Sequence, residues 1–146
     1  MITTNFIENK VFDKNPSLFR SLSEKKKNNF NFNEIKKFQK FKTVVIIGMG
    51  GSILGSKALY SFLRHKIKKN FIFIDNLDFK LLKRVNLKKD ASKFLFIIIS
   101  KSGNTTETIL NAGYFKNYFK KNNVIIISEN KNNTLSNLAK KKNFCF

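Results

Sequence analysis

Phe94-Leu95-Phe96-Ile97-Ile98-Ile99-Ser100-Lys101-Ser102-Gly103-Asn104-Thr105-Thr106-Glu107-Thr108 decides how this chain is read: an apolar run leads straight into a hydroxyl-rich loop, and a pattern of helical period follows. An apolar run without alternation reads as a strand buried on both faces. A strand that ends in small hydroxyl residues and reopens as a helix gathers backbone N–H groups, a positive dipole end and hydroxyls at one point. A phosphate monoester is the ligand that suits such a point. Ser100, Ser102, Thr105 and Thr106 supply hydroxyls, and Lys101 an ammonium, within a few positions. That is more than a turn requires, although Ser and Thr are also ordinary helix caps.

A second loop of the same kind lies upstream, where Phe41 to Ile47 leads into Gly48-Met49-Gly50-Gly51-Ser52-Ile53-Leu54-Gly55. Glycines at 48, 50 and 51 let the backbone turn sharply and approach a ligand, and Ser52 then stands near the start of the next helix. Two nucleotide-binding motifs compete for this loop. A dinucleotide fingerprint wants a third glycine where Ile53 stands, and only Asp75, near the end of the next strand, speaks for it. A Walker loop wants Gly-Lys-Ser/Thr at its end, whereas this stretch ends Gly55-Ser56-Lys57. Neither motif is satisfied.

From Thr43 onward apolar runs at 43–47, 71–74, 94–99 and 124–128 alternate with helical patterns at 52–66, 78–88, 105–121 and 133–142. Such βαβ repetition predicts an α/β fold, a doubly wound three-layer αβα sandwich around a parallel sheet. Ligands of such sheets sit beyond the carboxyl ends of the strands, where both loops fall. Residues 1–40 form a separate, more polar lead-in, and 41–146 the ligand-binding domain. In the lead-in Asn15 and Pro16 can open a short helix with Leu18, Phe19 and Leu22 on one face. Asn143-Phe144-Cys145-Phe146 reads as the start of a fifth strand. An apolar strand at an unguarded sheet edge is a hazard, so a domain incomplete at its C-terminus, a piece of a longer protein, is expected.

Composition narrows the function. With 146 residues, 42% of them hydrophobic and 17 of them Phe, the chain can build one real core. The formal charge of +20 resembles a nucleic-acid signature, but of 29 basic residues only Arg20, Arg64 and Arg84 are arginine, the side chain that bidentate recognition favours. Lysine runs such as Lys25 to Lys27 and Lys140 to Lys142 read as solvated faces. Nonspecific polyanion binding at low salt follows from the charge, and no specific nucleic-acid partner does. Cys145 is the single cysteine, which excludes an internal disulfide. The start of the chain has no secretory pattern and no run is long enough for a membrane span, so a cytoplasmic protein is expected. The sequons at 104–106 and 132–134 are then fortuitous. His65 follows Arg64 at the polar end of a helical pattern and is not read as catalytic.

With both loops in view, the chain resembles the N-terminal part of the phosphoglucose isomerase family, within the sugar isomerase (SIS) domain superfamily. The family's Gly-Ile-Gly-Gly-Ser-x-Leu-Gly loop is similar to Gly48–Gly55, and its Ser-Lys-(Ser/Thr)-x-x-Thr-x-Glu-Thr loop to Ser100–Thr108. Asn76-Leu77-Asp78 also resembles a family feature, and the likeness runs from about Phe41 to the end. It implies that Ser100, Lys101, Ser102 and Thr105 hold the phosphate of a hexose 6-phosphate and that Gly51 and Ser52 face the sugar. Glu107 matches an acid near the substrate in the family; otherwise it simply favours the helix dipole.

The resemblance implies interconversion of glucose 6-phosphate and fructose 6-phosphate through an enediol, with no metal or organic cofactor, by a homodimer. It places the catalytic Glu, His, Lys and a Gly-Gly-Arg arginine beyond Phe146, so that no catalytic residue is expected in this chain. Sugar-phosphate affinity without turnover is the expectation. A regulatory SIS module that binds the same ligand without chemistry is the alternative.

Overall fold

The computed structural model describes residues 32–85 and 93–146. By its contacts the chain divides into two units, Met1–Ile35 and Lys36–Phe146. Of the first unit only residues 32–35 are described, at the start of helix α1 (Phe32–Lys36), and the helix expected after Asn15 lies outside the described residues.

The second unit alternates strand and helix: β1 (Thr43–Gly48), α2 (Gly51–Leu63), β2 (Asn70–Ile74), α3 (Phe79–Arg84), β3 (Phe94–Ile99), α4 (Thr106–Phe115), β4 (Val124–Ile127) and α5 (Thr134–Lys142). All strands pair in parallel in the order β2-β1-β3-β4. The chain thus steps one way from β1 to β2 and the other way from β2 to β3 and on to β4. Right-handed crossovers then place α2 on one face and α3 and α4 on the other.

The side chains follow that division with a period of two. Val45, Ile47, Phe96, Ile98, Val124 and Ile126 point to one face, under Leu82 before the end of α3, Phe115 of α4 and Leu135 of α5. Val44, Ile46 and Leu95 point to the other, against Ile53 of α2 and the buried rings of Phe38 and Phe41. This is the three-layer α/β sandwich that the alternation of runs predicts.

Helices α2 and α4 end earlier than their periodicity suggests, whereas α5 ends where it is expected to. The pattern expected over 105–121 breaks after Phe115 into a 3-10 turn, Lys116–Tyr118. Asn123 closes that turn, accepting the Lys120 N–H at 2.7 Å and donating Nδ2 to the Tyr118 carbonyl at 3.1 Å. Helix α5 stops at Asn143, which takes the left-handed conformation at φ 51°. The expected fifth strand is one parallel bridge, Cys145 to Ile125, with the Ile126 N–H donating to the Cys145 carbonyl at 2.8 Å.

Candidate functional site

At the carboxyl end of β3 the chain folds its hydroxyls onto itself. Ser100 is 1% exposed; its Oγ accepts the Gly103 N–H at 3.1 Å and lies 2.9 Å from Thr105 Oγ1. Ser102 Oγ accepts the Asn104 N–H at 3.2 Å and lies 3.5 Å from Thr105 Oγ1. Thr105 occupies the N-cap position of α4, yet its side chain makes no capping hydrogen bond. The cap reading therefore fails for Thr105: its hydroxyl closes the loop and leaves the first-turn N–H groups of α4 to another acceptor. Glu107 sits half-buried in that first turn, where a carboxylate suits the dipole.

The loop is pinned from outside by residues whose part the sequence does not announce. Gly103 has φ 68°, and a Cβ on it would lie 2.0 Å from Asn133 Oδ1. Its carbonyl accepts the Leu135 N–H at 3.1 Å, and Asn104 Oδ1 accepts both the N–H and the hydroxyl of Thr134 at 2.9 Å. Asn133 is buried and is the hub: Nδ2 donates to Ser128 Oγ and to the Glu129 and Lys131 carbonyls at 3.1–3.2 Å. Its Oδ1 also accepts the Ser136 N–H at 2.8 Å, while Ser136 Oγ accepts the Asn133 N–H, a reciprocal capping box on α5. Asn-Thr-x-Ser before a helix carries that signal, which the sequon at the same place obscures.

The β1–α2 loop is built differently. Gly50, the N-cap of α2, has φ 50°, a conformation that L side chains resist. A Cβ on Gly48 would lie 3.0 Å from the Ile99 carbonyl, so glycine there lets β1 and β3 run close at their ends. Gly51 has no such constraint: it opens the helix with nothing within 4 Å of a Cβ position, so it offers access rather than a turn. Ser52 follows in the first turn, its N–H donating to the Met49 carbonyl at 3.1 Å.

Both loops meet at one cleft of about 580 Å³ beyond the strand ends. Gly51, Ser52 and Lys101 line it, over a floor that includes Ile99 and Ile127. Ser100, Ser102, Thr105 and Glu107 are not on its wall; they belong to the adjoining loop and the start of α4. A third segment, absent from the sequence-based expectation, completes it: Ser128 and Glu129 at the end of β4. The Glu129 N–H donates to the Lys101 carbonyl at 3.1 Å, and Glu129 Oε2 pairs with Lys131 Nζ at 2.8 Å. The hydrogen bond and charge of Lys131 hold the Glu129 carboxyl below its ordinary value and raise the Lys131 ammonium above its own.

Asp75, the residue that spoke for a dinucleotide, is ion-paired with Lys57. Asp78 caps α3 by accepting the Lys80 N–H at 2.8 Å, and Asn111 of α4 donates to the Asn76 carbonyl at 3.0 Å, so the Asn76-Leu77-Asp78 triplet is a joint between elements. His65 is exposed just past the end of α2. Among the described residues no cluster of three or more His, Cys, Asp or Glu could hold a metal, and no helix is long and apolar enough to cross a membrane.

Comparison with known proteins agrees with this geometry. Residues 17–144 match the family model described as phosphoglucose isomerase. The glucose-6-phosphate isomerase of Borrelia garinii subsp. bavariensis is 45% identical over 92 residues, which cover 59% of this chain and 17% of the relative. That of Methanocaldococcus jannaschii is 40% identical over 93 residues, 64% of this chain and 23% of the relative. A crystal structure of a glucose-6-phosphate isomerase from Chlamydia trachomatis superposes with a TM-score of 0.58 at 27% identity, over 68% of this chain and 21% of that one. A hypothetical protein from Thermus thermophilus, TM-score 0.71 at 20% identity over 97% of this chain and 33% of that one, shares the fold. The chain thus spans 17% and 23% of the length of these two curated relatives. The family match covers nearly all of the described residues, both loops included, and the chain belongs to the phosphoglucose isomerase family.

Proposed function

We infer that residues 41–146 are the sugar-phosphate-binding portion of a glucose-6-phosphate isomerase, an enzyme that interconverts glucose 6-phosphate and fructose 6-phosphate. The observation that carries this reading is the single cleft on which Ser52 and Lys101 meet, although the two lie on loops that follow different strands. The ammonium of Lys101 and the first-turn N–H groups of α4 take the phosphate, with Ser100, Ser102 and Thr105 shaping the loop around it. Gly51 and Ser52 face the sugar carbons. Proton transfer between C1 and C2 needs a carboxylate whose affinity for protons approaches neutrality. Glu129, the acid on the cleft wall, is held the other way by Lys131. In this reading the described residues of the cleft bind the substrate and do not move its protons.

Fructose 6-phosphate, inorganic phosphate and NAD, titrated separately and followed by backbone amide shifts, test it. The hexose phosphate is expected to move Ser52, Ser100, Ser102 and Thr105, NAD to move none of them, and a coupled isomerase assay to show no turnover. Shifts with NAD alone would sink the reading, and turnover by the purified chain would refute its catalytic half.

A further inference from the structure

The third wall of the cleft is acidic. Glu129 is the only carboxylate among the described residues that line the cleft, and it stands beside Lys101, to whose carbonyl its own N–H is bonded. A negative charge there works against binding of any bare anion. It favours a ligand only through what a carboxylate does well, which is to accept hydrogen bonds from hydroxyl groups. Its backbone is held in place from two sides. Asn133 Nδ2 donates to the Glu129 carbonyl, and Lys131 closes a tight turn on the same oxygen with an N–H bond of 2.8 Å. Lys131 Nζ pairs with Oε2, while Oε1 has no partner among the described residues. Beside it Ser128 Oγ accepts from Asn133 Nδ2 and donates to the Glu129 carbonyl at 3.5 Å, a further tie on the Glu129 backbone.

From this arrangement the geometry points to Glu129, supported by Ser128, as a specificity-determining residue that accepts hydrogen bonds from the sugar hydroxyls and so sets the preference for a polyol phosphate over phosphate itself. This rests on the sugar-phosphate reading of the cleft and adds to it a residue of the β4–α5 loop. Lys101 and the first turn of α4 hold the anion; the β4–α5 loop reads what the anion is attached to.

The test is the ratio of two dissociation constants, inorganic phosphate over fructose 6-phosphate, which cancels any general change in charge. For Glu129→Gln the ratio is expected to fall roughly tenfold, the scale of one hydrogen bond to a charged group, with phosphate binding as well as before or better. Glu129→Asp, which keeps the charge but draws the oxygens back by one methylene, should lower the ratio without altering phosphate affinity. An unchanged ratio in both variants overturns the inference while leaving the phosphate site intact. If Lys131→Ala lowers the ratio as much as Glu129→Gln does, Glu129 is a staple of its own turn and not a reader of sugar, and the inference also falls. If the unmodified chain binds neither ligand, the cleft reading and this inference fall together.

Discussion

The two loops at the cleft stand on unequal foundations. The β3–α4 loop is closed by its own hydroxyls, pinned by Asn104 and Asn133 to the next loop, and continued by a helix that buries Thr108, Asn111, Ala112 and Phe115. The β1–α2 loop has no side-chain cap, and its helix buries Ile53 alone while Leu54, Leu59 and Phe62 stand 59%, 64% and 77% exposed. An anion needs donors already in place, because ordering them on binding would cancel much of the gain. A sugar moiety tolerates a looser wall. On the proposed reading, the more firmly held loop is the one that meets the phosphate.

Substitutions can break or sharpen that contrast. On the well-packed side Phe115→Ala removes a fully buried ring that packs on Phe96 and should cost about 3–5 kcal/mol in urea or thermal unfolding. Its counterpart Phe62→Ser, at an exposed position of α2, should change stability by no more than about 0.5 kcal/mol. Equal costs for the two would erase the distinction between the faces.

The glycines give a second, smaller contrast. Gly103→Ala must both adopt a positive φ and push a methyl into the Asn133 amide, for an expected loss of about 2–4 kcal/mol together with phosphate affinity. Gly55→Ala, inside α2 with open space at its Cβ, should instead add about 0.5–1 kcal/mol. Melting curves of the two variants should move in opposite directions.

The smallest effect is in titration. Because Glu129 is depressed in the folded chain, its share of stability is complete above the unfolded carboxyl value and is lost as pH falls through the folded one. Lys131 is raised, so its share is complete below the unfolded ammonium value and disappears as pH climbs through the folded one. Both groups are solvent-exposed, and the pair should leave stability flat across neutral pH. A carbon-detected titration should put the Glu129 midpoint below that of an ordinary glutamate, and Lys131→Ala should bring it back up.

How much of this is legible in the sequence differs by region. The β/α alternation, the sheet and the two loops can be read because apolar run length and helical period are local properties of consecutive residues. Lys101 and Ser52 can be named as site residues for the same reason: each lies in a short motif directly after a strand. Asn133 and Glu129 cannot. Asn104 meets Thr134 across 30 positions, and Glu129 meets Lys101 across a similar gap, both because β3 and β4 are neighbours in the sheet. The capping signal at Asn133 announces a helix start but not that the same side chain seats Gly103.

The amino-acid sequence by itself determined the elements, their parallel α/β arrangement and the hydroxyl-rich character of the β3–α4 loop, since these depend on side-chain chemistry and spacing along the chain. Only the tertiary structure decided which hydroxyls face the cleft, that Ser128 and Glu129 form its third wall, and that Leu54, Leu59 and Phe62 of α2 stand exposed. Those are consequences of strand order and of which helix packs on which face, and they arise from contacts between segments far apart in the chain, on which local periodicity is silent.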